Sequence, residues 1–394
     1  MKRVFPSVLI GLILLWSQLY ERTQWHWLGD ALLSRWLHYS GEWFAQNGLR
    51  SYGLPMYPNL QVAYTHITGG PDWIQAVVAA IRPTSSPIFP WHALITAILS
   101  IAVFFWAFSS LKTIARAIFP SEPNLEEVAS SVALLALSCA SVQVFSAQPY
   151  AAGTLVADAV NLAFVASWCR NPDSSRWPRA LALFSFSIFF SFWMGLSPVT
   201  SSAFWCMASA YRFGAPELRR RRVIQIAAAF AVTAIACVTL KILQNYLYFG
   251  SMEAVWKDMV EILRLRQGIG STETIVQDYS FAKHLFKMAW RIPYLFGAIP
   301  FLVLFFGWKN RRTFVEEKTF LLLILLGGFS WQFAMRHHSF HHIYLFRFLM
   351  FPLCLVLTLQ LMKEDSSNIL RRIKWLSALQ LLLLWSVALI PAIR

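Results

Sequence analysis

The chain has 394 residues, of which 57% are hydrophobic, 16% aromatic and only 13% charged. Soluble domains carry about 25% charged residues, so this composition excludes an ordinary soluble enzyme, a disordered chain and a fibrous repeat. Basic residues outnumber acidic ones by 34 to 19, for a net charge of +15. They sit at the ends of apolar runs, so the excess reads as membrane-orienting anchors, with no nucleic acid as partner.

In chain order, Met1-Lys2-Arg3 opens onto an apolar run at 4–20. The following Tyr20-Glu21-Arg22 is a poor cleavage site, so the run is expected to be a retained span rather than a leader. Further runs able to cross about 30 Å of hydrocarbon lie at 91–111, 129–147, 153–169, 180–194, 197–211, 223–244, 292–308, 320–335, 343–362 and 374–392. The pair between 180 and 211 is short and separated by Gly195 and Pro198, which fits either two short helices or a re-entrant hairpin. The expected fold class is all-α: one polytopic transmembrane domain, 1–394, with about 11 transmembrane helices.

Sidedness follows from charge. With the N-terminus inside, the segments 112–128, 170–179, 212–222, 309–319 and 363–374 all fall on the inner side. With the N-terminus itself, they hold 20 of the 34 basic residues. The outer side receives two long segments, 21–90 and 245–291, and the turn at Arg336–His342. Within the first, apolar and aromatic residues recur at helical spacing from Trp25 to Leu49, as in an interfacial helix. A second short helix is expected near Pro71-Asp72. Residues 252–266 alternate charge at helical spacing and predict an amphipathic surface helix. The five cysteines (Cys139, Cys169, Cys206, Cys237, Cys354) all lie in or beside apolar runs with no Cys-x-x-Cys partner. They read as buried hydrophobes rather than as metal or redox pairs.

The scarce polar residues are unevenly placed. The outer side offers the carboxylates Asp30, Asp72 and Asp158 and the cations or titratable donors Arg336, His337, His338, His341, His342 and Arg347. Carboxylates able to act as a base and cations able to hold a phosphate thus gather on one face. Each residue has a plainer reading beside that one. Asp30 and Asp72 both suit helix caps. Asp158, at the mouth of a span, suits a structural hydrogen bond as well as a functional carboxylate. Tyr64 and His66 suit loop shaping, and Arg347 suits snorkelling. The histidines suit a metal, a phosphate or an unspecialised interface; His338 and His342 are spaced for one helical face, with no acidic neighbour in sequence. No metal or other cofactor is favoured. Gln267-Gly268-Ile269-Gly270 is a turn without a phosphate-loop pattern, which gives no support for a soluble nucleotide-sugar donor.

Several of these stretches resemble the GT-C superfamily of membrane glycosyltransferases, particularly bacterial relatives of the protein O-mannosyltransferases. Tyr64-Thr65-His66-Ile67-Thr68-Gly69-Gly70-Pro71-Asp72-Trp73 is similar to a segment before that family's second span, with Gly69-Gly70 where prolines are common. Gln148-Pro149-Tyr150 and Ala157-Asp158-Ala159 resemble its second acidic position, and Arg336-His337-His338-Ser339 an outer Arg/Ser/His segment before a late span. Where many members carry Asp-Glu after the first span, this chain has Gly29-Asp30-Ala31, with Glu21 and Glu42 nearby.

The resemblance implies an inverting transfer from a polyprenyl-phosphate sugar to a lipid or cell-envelope glycan acceptor, on the outer face of a bacterial cytoplasmic membrane. It implies Asp30 as base with Asp158 in support. Arg336, His337, His338, His342 and Arg347 would hold the donor phosphate, and Tyr64, His66 and Asp72 would shape the acceptor side. Two other classes compete: a transporter or lipid flippase, and a metal- or haem-dependent oxidoreductase using the histidines.

Overall fold

The computed structural model describes residues 55–57, 62–63, 81, 88–143, 149–170, 177–194, 197–213, 216–267, 280–311, 317–341, 349–364 and 367–389. The protein is helical throughout these residues apart from one small hairpin. In that hairpin β1 (Pro55–Tyr57) pairs antiparallel with β2 (Val62–Ala63), Pro55 opposite Ala63 and Tyr57 opposite Val62. The all-α class is as expected.

The helices are α1 (Ile88–Ile118), α2 (Leu125–Leu137), α3 (Ala140–Gln143), α4 (Pro149–Arg170), α5 (Trp177–Met194), α6 (Ser197–Phe213) and α7 (Pro216–Phe249). They continue with α8 (Met252–Gln267), α9 (Phe281–Phe296), α10 (Ile299–Lys309), α11 (Lys318–Ala334), α12 (Arg336–His341), α13 (Met350–Met362) and α14 (Ser367–Leu389).

Helix α13 is the centre of the packing. All thirteen of its residues are buried, and it packs on α1, α2, α10 and α11. A helix apolar on every side has no face to give to water, so it goes to the middle of a bundle. Its two polar groups are absorbed locally: Thr358 Oγ1 donates to the Cys354 carbonyl at 2.7 Å, and Gln360 Nε2 donates to the Val303 carbonyl of α10 at 3.1 Å. Around it, α1 packs on α4, α4 on α5 and α6, and α6 on α11. The α6–α11 contact is close because Gly327 allows it. A Cβ there would lie 2.9 Å from Phe204 Cβ, and Ser201 Oγ donates to the Gly327 carbonyl at 2.9 Å. All five cysteines are free and buried, as their apolar settings suggested.

Two of the expected spans are not single straight helices. The run 129–147 divides at Ser138-Cys139 into α2 and α3. The run 292–308 begins earlier, at Phe281, and turns through 98° between α9 and α10. Gly297 makes that corner with φ +53, a left-handed value that glycine reaches without Cβ strain, and Pro300 opens α10 near its first turn. The pair at 180–211 does form two helices, α5 and α6. Helix α8 matches the charge-alternating stretch, so the segment 245–291 is helical over much of its length rather than an open loop.

Length and apolarity single out Arg220–Phe249 within α7 as a helix able to cross a membrane; the bent pair α9–α10 passes the same test jointly. In α7 that apolar window is only 17% buried. Val232 and Ile235 are 68% and 66% exposed. A core helix of a soluble protein would hide such residues.

Polar contacts gather at the two ends of the bundle. At one end Lys112 and Arg116 meet Glu126 at 2.9 and 3.2 Å, and Lys363 meets Glu122 at 3.1 Å. There too Lys374 meets Glu127 at 3.0 Å, Lys309 meets Glu364 at 2.5 Å, and Arg212 meets Glu317 at 3.7 Å. Trp177 Nε1 donates to Gln225 Oε1, and the Arg222 guanidinium stands 4.9 Å over the Trp177 ring. These pairs join 112–128 with 363–374, 309–317 with 364 and 212, and 177 with 222, all segments assigned above to one side by charge alone; Gln225 lies just inside the next apolar run.

Candidate functional site

The far end of α11 leads to a different polar cluster. Seventeen residues of helix separate Lys318 from Ala334, a rise of about 25 Å from the charged end just described. There α11 packs on α12, and α12 on α8 and α9. Helix α9 starts cleanly because Ser280, in an extended conformation, accepts a hydrogen bond from the Lys283 backbone N–H at 3.1 Å. From that cap, His284, Lys287 and Arg291 follow at spacings of three and four and share a face.

That face is turned into the protein. His284 is fully buried and Arg291 is 6% exposed. His284 Nε2 stands 3.3 Å from the Gln332 carbonyl, which can only accept, so this nitrogen carries a proton. Arg291 Nη1 donates to the Ser339 carbonyl at 3.0 Å. The Lys287 ammonium sits 3.4 Å from the centre of the Phe340 ring, close enough for a cation–π contact. Arg336 and the buried His337 open α12 on the other wall of the same cluster. On the α8 side, Asn245 Nδ2 donates to Asp258 Oδ2 at 3.2 Å.

The buried guanidinium of Arg291 and the half-buried ammonium of Lys287 share one helix face, and Arg336 is exposed at the start of the helix they contact. Charge-assisted donors of this kind hold phosphate or carboxylate oxygens. Among the described residues no three His, Cys, Asp or Glu side chains stand close enough together to hold a metal ion.

The expected site residues divide as follows. Arg336 and His337 belong to this cluster, Arg336 exposed and His337 buried. His338 and His341 lie in α12 by their backbone, while their side chains, and all of His342 and Arg347, lie outside the described residues. Asp30, Tyr64, His66 and Asp72 also lie outside them. Asp158 is buried, 9% exposed, nine residues into α4. One turn on, the Ser187 hydroxyl of α5 donates to Asn161 Oδ1. The main packing partners of α4 are α1, α5 and α6, whereas those of α12 are α8, α9 and α11. Asp158 and the Arg336 cluster therefore belong to different helix groups that meet through the α6–α11 contact.

His284, Lys287 and Arg291 were missed as site residues in the sequence. The signal is there, three titratable groups on one face of a segment that also carries Leu285, Phe286, Trp290 and Tyr294, but no motif marks it. No family model and no curated protein matches the chain.

Proposed function

We propose that the chain is a polytopic membrane glycosyltransferase that moves a sugar from a polyprenyl-phosphate donor to a lipid or cell-envelope glycan acceptor, with inversion. The observation that carries this reading is the cationic face of α9, with Arg291 buried and Lys287 half-buried, both in contact with α12, the helix that Arg336 opens. Fixed cations stabilise the phosphate that leaves when the sugar is transferred. The remaining support is chemical and compositional. The chain would cross the membrane about eleven times. Its exposed helix faces are rich in large apolar side chains such as Phe286, Leu304 and Trp375, 70–74% exposed, in keeping with contact to lipid. Orientation by positive charge would put the paired charged end inside and the α9–α12 cluster outside, in a bacterial cytoplasmic membrane.

In this mechanism Asp30 takes the proton of the acceptor hydroxyl as its oxygen attacks the sugar carbon from the side opposite the phosphate. The bond to the phosphate oxygen breaks, and Arg336, His337, His338, His342 and Arg347, with Lys287 and Arg291, receive the negative charge that develops there. Asp158 orients or shares the base, and Tyr64, His66 and Asp72 shape the acceptor side. No metal is required by this scheme.

The test is transfer itself. Purified protein in lipid nanodiscs, given radiolabelled polyprenyl-phosphate sugars and membrane lipids, is expected to yield a labelled lipid or glycan product. Asp30→Asn should abolish it, and Arg291→Ala should raise KM for the donor. Absence of product with every donor overturns the reading in favour of a transporter or flippase. That second reading has its own support in the two broken helices at 138–139 and 297–298, since discontinuous helices build transport sites.

A further inference from the structure

The two helix breaks meet at one side chain. Gln380 of α14 accepts the Ala298 backbone N–H on Oε1 at 3.1 Å, and its Nε2 donates to Ser138 Oγ at 3.2 Å and stands 3.3 Å from Cys139 Sγ. Cys139 Sγ in turn reaches the Phe296 carbonyl at 3.2 Å. A closed ring of contacts thus runs from the α9–α10 corner to the α2–α3 break and back through one amide. Gly297 completes it, since a Cβ there would fall 2.1 Å from Gln380 Oε1. A helix corner frees backbone N–H and C=O groups that must find partners away from water. Gln380 and Cys139 supply one for each flank of this corner.

The corner also fixes where α9 points. His284, Lys287 and Arg291 lie on α9 six to thirteen residues before Gly297, so rotation at the corner moves all three together relative to Ser339 and Phe340. We propose that Gln380 is a positioning residue: its amide locks the 98° corner and so holds the cationic face of α9 in register with α12. The inference rests on the phosphate-binding role proposed above for that face, but the corner lock itself can be measured without any activity.

Cys139 is a built-in reporter, because it is fully buried at the junction, while the equally buried Cys206 lies away from it in α6. Alkylation of the full-length protein in nanodiscs by N-ethylmaleimide, followed site by site by mass spectrometry, separates local loosening from global unfolding. In Gln380→Leu, which keeps bulk and removes both arms, Cys139 should react about tenfold faster, the scale of one net hydrogen bond, with Cys206 unchanged. The donor KM should rise about tenfold in the Leu variant at little-changed kcat.

Equal Cys139 rates in wild type and Gln380→Leu overturn the lock. If the Leu variant does not fold, Ser138→Ala removes a single arm, and an unchanged Cys139 rate there overturns it equally. A loosened corner with an unmoved KM also overturns the positioning role. Absence of transfer by the wild type with every donor overturns the glycosyltransferase reading instead, and with it the positioning role, while the Cys139 rates still decide the lock.

Discussion

Two residues show what burial does to charge in this chain. Arg291 is buried, and one of its nitrogens serves the Ser339 carbonyl at the α11–α12 corner. Arg291→Ala leaves that carbonyl without this donor and should lower stability by about 1–3 kcal/mol; Arg291→Lys keeps the charge but loses the planar fork. Thermal unfolding in detergent should rank wild type above Lys and Lys above Ala. Glu126 is the opposite case, an exposed carboxylate whose pKa is held below the ordinary 4.5, chiefly by the hydrogen bond from Lys112 and further by the charges of Lys112 and Arg116. A lowered folded pKa means its contribution is present above the unfolded value and is lost as pH falls through the folded one. Exposed pairs of this kind are worth about 1 kcal/mol or less. Glu126→Gln should therefore cost little at pH 7, and its stability difference from wild type should vanish as acid takes the pH below that range. The Glu126 pairing was foreseeable only as a side of the membrane. The Arg291 face was foreseeable in spacing, but nothing in the sequence says that a polar stripe faces protein and the aromatic stripe beside it faces outward.

Elements whose signal is periodic were legible, and elements defined by an interruption were not. Charges alternating at helical spacing marked α8, and Gly195 and Pro198 marked the separation of α5 from α6. The break at Ser138-Cys139 carries no glycine or proline, and its hydroxyl and thiol are met by Gln380, 242 and 241 positions away. No local pattern encodes such a partner. The α9–α10 corner did leave a trace, since Pro293, Gly297 and Pro300 crowd one apolar run, but a run scored by mean apolarity passes over them. The α6–α11 contact was hidden for another reason: Gly327-Gly328 reads as helix-weakening, whereas in the bundle it brings two backbones together. Gly327→Ala places a methyl 2.9 Å from Phe204 Cβ and should destabilise by about 1–3 kcal/mol, the usual cost of overpacking. The double variant with Phe204→Gly, which removes that Cβ, should lose less than the two single variants together in the same unfolding assay. Full additivity of the two changes would show that the contact does not couple these helices.

At the scale of the molecule, sidedness by charge and separation by contact are independent observations that agree. The first used only the positions of Lys and Arg along the chain. The second is the finding that 112–128, 212, 309–317 and 363–374 bond to one another, while 284–291 bonds to 332–340. Ion pairs gathered at helix ends suit the proposed bilayer setting, where charge is tolerated at the surfaces, while the contacts within the helices, such as Ser187 with Asn161, are uncharged. Asp30, the proposed base, lies outside the described residues, so its role rests on the sequence. The sorting itself makes a sharp prediction. Asn124, exposed between α1 and α2, and Ser251, exposed between α7 and α8, should face opposite compartments. The native cysteines are all buried, so single reporters Asn124→Cys and Ser251→Cys can be read against a low background. A membrane-impermeant maleimide added to intact cells should label Ser251→Cys alone, and Asn124→Cys should become reactive only after permeabilisation. Labelling of both sites in intact cells would place the two polar ends on one side and remove the basis for a site on the outer face. The reverse pattern would keep the spans but move the cationic face of α9 to the compartment where soluble nucleotide sugars are made, and the lipid-phosphate donor would lose its main topological support.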